Sequence, residues 1–507
     1  MLGNLSDFNY TYGFYSALNP FRTKFRLIHA GIEPPNFSNA CELGFGFGLN
    51  VALNSAGSSI RWYGTDFNAN QAAFAQELTN VAGVDAKLFN EAFKDFMYRP
   101  DLPDFDFIGM HGLWSWVSDE SRALVVDFLQ RKLKAGGVAY ISYNTSPRCG
   151  PMIPVRDLWI EHVRLLEAKT EAPTEKIINA LNFFEKLLAT NPAYVKACPD
   201  IVQRLAFIKS QNVNYVAHEY FAEAWHITYF SKIVADLEPA QLTYAYHENV
   251  VLTLDTLNLQ QAQIDLLAQI TDPVFRENVR DFMIDRQYRQ DFWVKGVRRL
   301  TSHDRLARLR AQRVILVRDP ARLSLYVNST LGEVTLFEEV YRPILNMLSD
   351  YSVKTIGELE EKLCGEDLSF EALMLSLLVL MFKLAVFPAQ DQQAIVNAKP
   401  CTDRLNKHLI QKALDDGKVE YLASPVTGSG IAVERYQQIF LLARLNGIHA
   451  PEQWARYATD ELLARCQTIK TDDATLTDPQ AMYTELLRQA NEFANSRLRI
   501  LQALQIA

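Results

Sequence analysis

The sequence predicts an α/β protein built on a parallel sheet and extended by helical segments, and two observations carry that expectation. From about residue 38 to 145 short apolar runs alternate with helical patterns, the order that builds parallel strands joined by right-handed crossovers. After residue 150 helical spacing continues with no intervening strand signal. Strands are predicted at 40–43, 60–65, 86–90, 105–110 and 138–143, separated by helices such as 68–81 and 119–133. Residues 157–188 and 200–208 place apolar side chains at helical intervals and read as a helical insertion. The run LTYAYHENVVLTL at 242–254 returns to strand chemistry, so the first domain is completed by chain that follows the insertion and ends near residue 300. Residues 313–327 hold β-like pieces, and 337–387 hold at least two helices ahead of the turn-prone Pro388. That order resembles a winged-helix module, and the last segment is mainly helical, ending in an amphipathic helix at 478–505.

Composition removes whole classes of function. The chain has 507 residues, enough for two to four domains at roughly 150 residues each. Apolar residues make up 49% and charged residues 22%, which excludes collagenous, low-complexity and wholly disordered chains. With 51 basic against 59 acidic residues the net charge is −8, so no global field favours nucleic acid or an anionic membrane. Six scattered cysteines without a CxxC pair exclude a disulfide framework and point to a reducing compartment. The first residues show no charged segment followed by an apolar run, so a cytoplasmic location is expected. The most apolar stretch, 372–387, includes Ser376 and Lys383 and falls short of the roughly 20 apolar residues that span a bilayer. It reads as a buried core helix. No HExxH spacing and no Cys/His cluster occurs, so no metal is expected.

The chemistry concentrates at ELGFGFGLN, residues 42–50, where a predicted strand runs into Gly44, Gly46 and Gly48 before a helix. Glycines there let the backbone turn tightly and a ligand approach main-chain N–H groups. Asp66, followed by Phe67, lies 22 residues after Gly44 at the end of the second strand, where a carboxylate accepts both hydroxyls of a ribose or caps the next helix. Dinucleotides and S-adenosylmethionine both fit this geometry. The dinucleotide fingerprint wants glycine where Leu49 stands, which disfavours NAD. Glu42 is poor chemistry beside a pyrophosphate and good chemistry for a cationic or amine-bearing ligand.

Taken with Glu91 after the third strand and LKAGG at 133–137, these residues resemble the successive motifs of class I methyltransferases. The resemblance implies a Rossmann-like sheet that binds S-adenosylmethionine. In that superfamily the glycine loop surrounds the homocysteine part of the cofactor, which falls here on Gly44, Gly46 and Gly48. The acid after strand two holds the ribose, here Asp66, and the loop after strand three contacts adenine, here Glu91 with Ala92. Glu42, Phe67 and His111 complete the expected cofactor-binding set.

An acceptor would meet the methyl group at MHGLWSWVS, residues 110–118, after the fourth strand. Trp114 and Trp116 there, Tyr10, Tyr12 and Tyr15 near the N-terminus, and Tyr143 in YNT after the fifth strand form the candidate rim. Aromatic faces attract ammonium and sulfonium groups and exclude water, although each such residue also suits ordinary core packing. His111 suits contact with acceptor or adenine and equally a satisfied buried histidine. No general base is evident; placing a deprotonated amine in line with the sulfonium suffices for transfer.

YTYGFY, ELGFGFGLN, WYGTDFN, HGLWSWV and YNT, followed by EYFAEAW at 219–225 and RDFMIDRQYRQDFWVKG at 280–296, resemble bacterial methyltransferases with an attached methyltransferase regulatory domain. That family includes rickettsial-type protein-lysine methyltransferases, which modify an outer-membrane surface protein. The resemblance implies lysine side chains as acceptors and an outer-membrane protein before export as a partner, and the C-terminal helical modules suit substrate docking or homodimer contacts. Methylation of a small molecule, lipid or glycan is the close rival, and a non-catalytic binding protein that senses the cofactor is a second. The expected division is a cofactor-binding core at 1–150, a helical insertion at 151–214, a regulatory region completing the core at 215–300, a winged-helix-like module at 301–395 and a helical domain at 396–507. SPRCG at 146–150 departs from the family, where a Pro-Gly-Trp turn is expected. The basic stretch at 295–313 reads as a solvated face or as a docking surface, without the basic recognition helix that DNA binding needs. TGSG at 427–430 reads as an ordinary loop, because no helix start with lysine completes a P-loop.

Overall fold

In the computed structural model, residues 12–168, 171–471 and 475–507 are described; Tyr10 lies outside them. Seven strands form one sheet: β1 (Asn39–Leu43), β2 (Arg61–Thr65), β3 (Ala86–Phe89), β4 (Phe105–Met110), β5 (Leu133–Asn144), β6 (Leu242–His247) and β7 (Tyr288–Lys295). Their order is β3-β2-β1-β4-β5-β7-β6. The first five pair in parallel, and β7 runs antiparallel between β5 and β6. The order reverses between β1 and β4, so the C-terminal ends of those two strands open a crevice, the place where sheets of this kind bind ligands.

The crossover helices are set by local chemistry. Helix α1 (Pro20–His29) starts where the Asn19 side chain accepts the amides of Phe21 and Arg22, and α2 (Leu49–Gly57) follows the glycine loop. Helix α3 (Ala69–Ala82) is capped by Asn68 and stopped by the left-handed Gly83. After the short α4 (Phe93–Met97), α5 (Asp119–Lys132) carries Asp119 and Glu120 in its first turn and Arg131 and Lys132 in its last, matching the helix dipole at both ends.

Two segments depart from the sequence expectation. The strand expected over 242–254 stops at His247, because Glu248 turns inward to meet Arg22 at 2.6 Å and Val251–Thr253 becomes a 3-10 turn. Strand β7 was hidden from pattern reading because Arg289 and Asp291, both fully buried, stand where apolar residues are expected. Arg289 grips Asp291 at 2.7 Å and both Asp281 oxygens at 2.7 and 2.8 Å, and Asp291 also takes His247 at 3.0 Å. A buried charge persists only when paired in this way.

After β5 the helices Met152–Leu165, Pro173–Ala189, Ala193–Ala197, Ile201–Ser210 and Val213–Tyr220 share their own core around Trp159, and a further helix, Phe230–Leu237, leads into β6. Beyond β7, three short antiparallel strands (Lys354–Thr355, Arg313–Leu316 and Val386–Pro388) pack with the helices Glu338–Leu348, Ile356–Leu363 and Phe370–Phe382. The last of these is buried from Leu377 to Met381, so it has no free face to lay in a DNA groove. No helix among the described residues is long and apolar enough to cross a membrane.

The basic stretch after β7 is structural. Lys295 donates to the Leu133 carbonyl, Arg305 to the His29 carbonyl at the end of α1, and Arg308 and Arg310 pair with Glu33 and Glu360. The Gly428 turn packs on α1 and α2: Asn19 donates to the Gly428 carbonyl and Gln390 to the Gly57 carbonyl.

Candidate active site

The glycine loop is folded against its own chain. Gly44 donates to the Thr65 carbonyl, Gly48 to the Phe45 carbonyl, and Gly46 to the Asp66 carboxylate at 2.9 Å. All three amides are therefore engaged, and none is left to hold a pyrophosphate, in line with the reading against NAD. Gly46 takes φ +58° and a Cβ there would meet nothing within 4 Å, so this residue faces open space. Gly48 is packed: a Cβ would fall 2.3 Å from that of Ala75.

Glu42 lies at the floor of this loop, 3% exposed. The Asn50 amide approaches its Oε1 at 3.4 Å, while Oε2 has no hydrogen-bond partner among the described residues. Burial pushes the carboxyl up to about 8, against the Asn50 bond and with a further push from Asp66. An unpaired buried carboxylate oxygen beside an open loop is a socket for a cation. Asn50 also accepts the Tyr15 amide at 2.7 Å, so it ties Glu42 to the N-terminal segment.

Asp66 accepts from the amides of Gly46 and Asn68, and burial pushes it up to about 6 despite those bonds. Phe67 beside it is 60% exposed. Glu91 pairs with Arg99 at 2.6 Å, and its other oxygen has no partner among the described residues. Ala92, exposed, begins α4, and the Asn90 amide donates to the Asp66 carbonyl, joining the loops after β2 and β3. Glu42, Gly44, Gly46, Gly48, Asp66, Phe67, Glu91 and Ala92 thus line the C-terminal edge from β1 to β3.

A cavity of about 410 Å³ opens on the other side of the switch point. Its walls are Tyr15, His111 and Trp116 with Tyr288 from β7 and Tyr215, Tyr220 and Trp225 from the insertion, together with Glu219, Arg204 and Asn144. Tyr15 stacks on His111 with ring centroids 3.6 Å apart. His111 Nδ1 meets the Tyr140 hydroxyl at 2.7 Å, and Gln290 donates to the same hydroxyl. Burial lowers His111 to about 3, which keeps it neutral. Trp116 donates through Nε1 to the Glu219 carbonyl. A Cβ at Gly44 would lie 3.2 Å from Leu113, so the glycine loop and the β4 loop that carries this cavity are neighbours.

Three of the aromatics expected at the acceptor stand elsewhere. Trp114, 2% exposed, packs in the core between the sheet and α5. Tyr143 is fully buried and donates to Asp291 at 2.7 Å, because alternation along β5 turns it to the face opposite the cavity. Tyr12 stacks on Phe47 of the glycine loop at 4.0 Å. Sequence reasoning passed over Asn50, Glu219, Tyr215, Tyr220, Trp225 and Tyr288 as site residues. EYFAEAW was visible as a motif, but only the fold brings it over β4.

A family model described as a predicted methyltransferase regulatory domain matches residues 212–295, from the last insertion helix through β7. The uncharacterized protein sll1526 of Synechocystis is 33% identical over 510 residues, covering 100% of this chain and 99% of that protein. The uncharacterized protein RP028 of Rickettsia prowazekii is 26% identical over 212 residues, 40% of this chain and 81% of its own length. Among solved structures, PKMT2 from Rickettsia typhi in complex with AdoHcy superposes with a TM-score of 0.66 at 18% identity, covering 97% of this chain and 99% of PKMT2, which shows a shared fold. By full-length kinship the chain belongs to one family with the Synechocystis protein sll1526, it carries the predicted methyltransferase regulatory domain, and its seven-stranded sheet shares the fold of PKMT2.

Proposed function

We propose that this protein transfers methyl groups from S-adenosylmethionine to amines, and that the amine is a protein lysine side chain. The observation that carries the reading is the pairing of two sites across one switch point. A buried carboxylate with an unpaired oxygen, Glu42, faces one side, and an aromatic-walled cavity containing Glu219 faces the other. The residues present fit the cofactor: Glu42 suits its amino group, Asp66 its ribose, and Glu91, Ala92 and the exposed ring of Phe67 its adenine. The cofactor supplies an electrophilic methyl group on a cationic sulfur.

The chain's own contribution is placement and desolvation. Tyr15, Trp116, Tyr215, Tyr220, Trp225 and Tyr288 offer faces to an alkylammonium stem and exclude water. Withdrawal from water favours the neutral amine, whose lone pair is the nucleophile. His111, held neutral, adds no opposing charge. Burial also raises Tyr220 to about 12, so its hydroxyl stays protonated. The PKMT2 likeness supports a lysine acceptor, as does a cavity that matches a linear alkylamine in chemistry.

The test is incubation of purified protein with methyl-labelled S-adenosylmethionine and a bacterial lysate, then separation into protein, lipid, nucleic-acid and small-molecule fractions. Label recovered from protein as methyl-lysine after acid hydrolysis is the expected result. Label confined to lipid or small molecules would discard lysine and keep the transferase; cofactor binding with no label anywhere would favour a sensing protein. Asp66→Ala should weaken cofactor binding, whereas Trp116→Ala should chiefly lower turnover.

A further inference from the structure

A second cavity, larger than the acceptor pocket at about 630 Å³, lies where the N-terminal segment meets the C-terminal half of the chain. Its lining includes four arginines against three carboxylates, a local positive excess in a protein of net charge −8. Two of the arginines are paired with carboxylates, Arg322 with Glu492 and Asp319 and Arg488 with Glu485 and Glu492. The other two are not. Arg497 gives one bond from each terminal nitrogen to main-chain carbonyls, those of Val317 at 2.7 Å and of Ala432, and pairs with no carboxylate among the described residues. Arg318, exposed beside Val317, has no carboxylate within ion-pair reach among the described residues. Burial, and to a lesser degree the neighbouring Arg318, push Arg497 down to about 10, and the Glu434 carboxylate, exposed at the rim, only partly offsets them.

Two further features belong to this cavity. Arg497 ends a π-helical stretch, Phe493–Arg497, inside the final helix. Such bulges lose regular helical bonding and recur at functional sites. In the same lining, the rings of Phe14 and Tyr421 lie 5.2 Å apart and present a half-buried aromatic wall. Phe14 and Ser16 line this cavity, while Tyr15 between them lines the acceptor pocket and has its amide fixed on Asn50, which also holds Glu42.

We infer that this cavity is an effector site for a small organic anion, its phosphate or carboxylate on Arg318 and Arg497 and its planar body against Phe14 and Tyr421, and that residues 14–16 carry its occupancy to the acceptor pocket. An anion there relieves the repulsion of two unpaired guanidinium groups, a charge-assisted contact of the strong kind. Any ligand that fixes Phe14 and Ser16 fixes Tyr15 as well, and linkage makes the effect reciprocal.

The inference is tested on the full chain without S-adenosylmethionine, so its failure is separate from that of the methyltransferase reading. Titration calorimetry with AMP, indole-3-acetate and inorganic phosphate separates a phosphate head, a carboxylate head and an anion with no aromatic body. At least one aromatic anion should bind tenfold or more tighter than phosphate. Arg318→Glu, an exposed change that leaves thermal unfolding unaltered, should weaken it at least tenfold. Hydrogen exchange at the Tyr15 amide should slow on binding in the wild type and not in Arg318→Glu. Absence of binding by all three probes, or equal affinity in wild type and Arg318→Glu, would overturn the site. Binding with no change at Tyr15 would overturn the coupling.

Discussion

On the proposed reading, Glu42 is both a contact for the cofactor's amino group and a buried carboxyl with an unpaired oxygen. Its carboxyl titrates near 8 in the folded chain against an ordinary 4.5, so its contribution to stability is present in full below the ordinary value and is lost as pH rises through about 8. Asp66 adds the same trend between its ordinary 3.8 and about 6. The ionised Glu42 costs the ligand-free protein about 3–5 kcal/mol at high pH, an upper figure before the site relaxes. Glu42→Gln should therefore raise the unfolding temperature at pH 9, leave it unchanged at pH 4, and reduce S-adenosylmethionine affinity at least tenfold. An ammonium group seated on Glu42 would ionise it. Calorimetry of cofactor binding near pH 7 in buffers of different ionisation enthalpy should then report release of about 1 proton, with affinity climbing toward pH 8 and falling at higher pH as the ligand's own ammonium group loses its proton. Buffer-independent heats would remove Glu42 from the cofactor contact. Tyr143 is a contrasting case: with its hydroxyl on Asp291 and its ring in the core, Tyr143→Phe should cost about 1–2 kcal/mol of stability and leave kcat and KM in place.

At the scale of elements, the helical insertion is the part that turns a cofactor-binding sheet into a pocket with walls. Tyr215, Glu219, Tyr220 and Trp225 all come from its last helix and the turn after it, and Trp159 centres the core that holds that helix in place. Trp159→Ala should cost about 3–5 kcal/mol locally. Because the insertion core is separate from the one under the glycine loop, the variant should keep cofactor affinity within about twofold while KM for the acceptor rises by roughly tenfold or more, at ~1.4 kcal/mol per decade. Equal losses of both affinities would mean that the insertion and the sheet unfold together. The five parallel strands were legible in the sequence because each is a short apolar run bounded by turn residues, and the glycine loop was legible because its spacing is local. Strand β7 and the acceptor walls were not. In β7, paired charges replace the apolar pattern, and the walls join residues more than 100 positions apart, such as Trp116 and Glu219. The aromatic run at 110–118 was visible, but the sequence alone could not say that Trp116 faces the cavity and Trp114 the core.

Across the whole molecule, the C-terminal half shares one core with the helices α1, α2 and α3 that cover the sheet. A single apolar cluster runs from Phe25 on α1 through Leu53 on α2 and Leu78 on α3 to Leu405 and Leu504 near the end of the chain. The helix Gln392–Lys412 lies against α2 and α3, where Arg404 donates to the Ala82 carbonyl and His408 and Lys412 meet Glu77. At one point the contact is backbone on backbone, since a Cβ at Gly57 would fall 2.8 Å from the Gly428 carbonyl carbon. Neither chain can yield there: Gly428 takes φ +62° and its carbonyl is held by Asn19, while the Gly57 carbonyl is held by Gln390. Gly57→Val should separate the two halves at a cost of about 2–4 kcal/mol, since overpacking at a rigid contact is not relieved by rotamer changes. If the shared core makes one cooperative unit, calorimetry should show a single unfolding transition in the wild type and the same single transition at lower temperature in the variant. Two transitions in the wild type would mean that the C-terminal half unfolds by itself. In that case a variant that loosened Gly57 would shift only one of the two, and the other would report the sheet with its glycine loop intact.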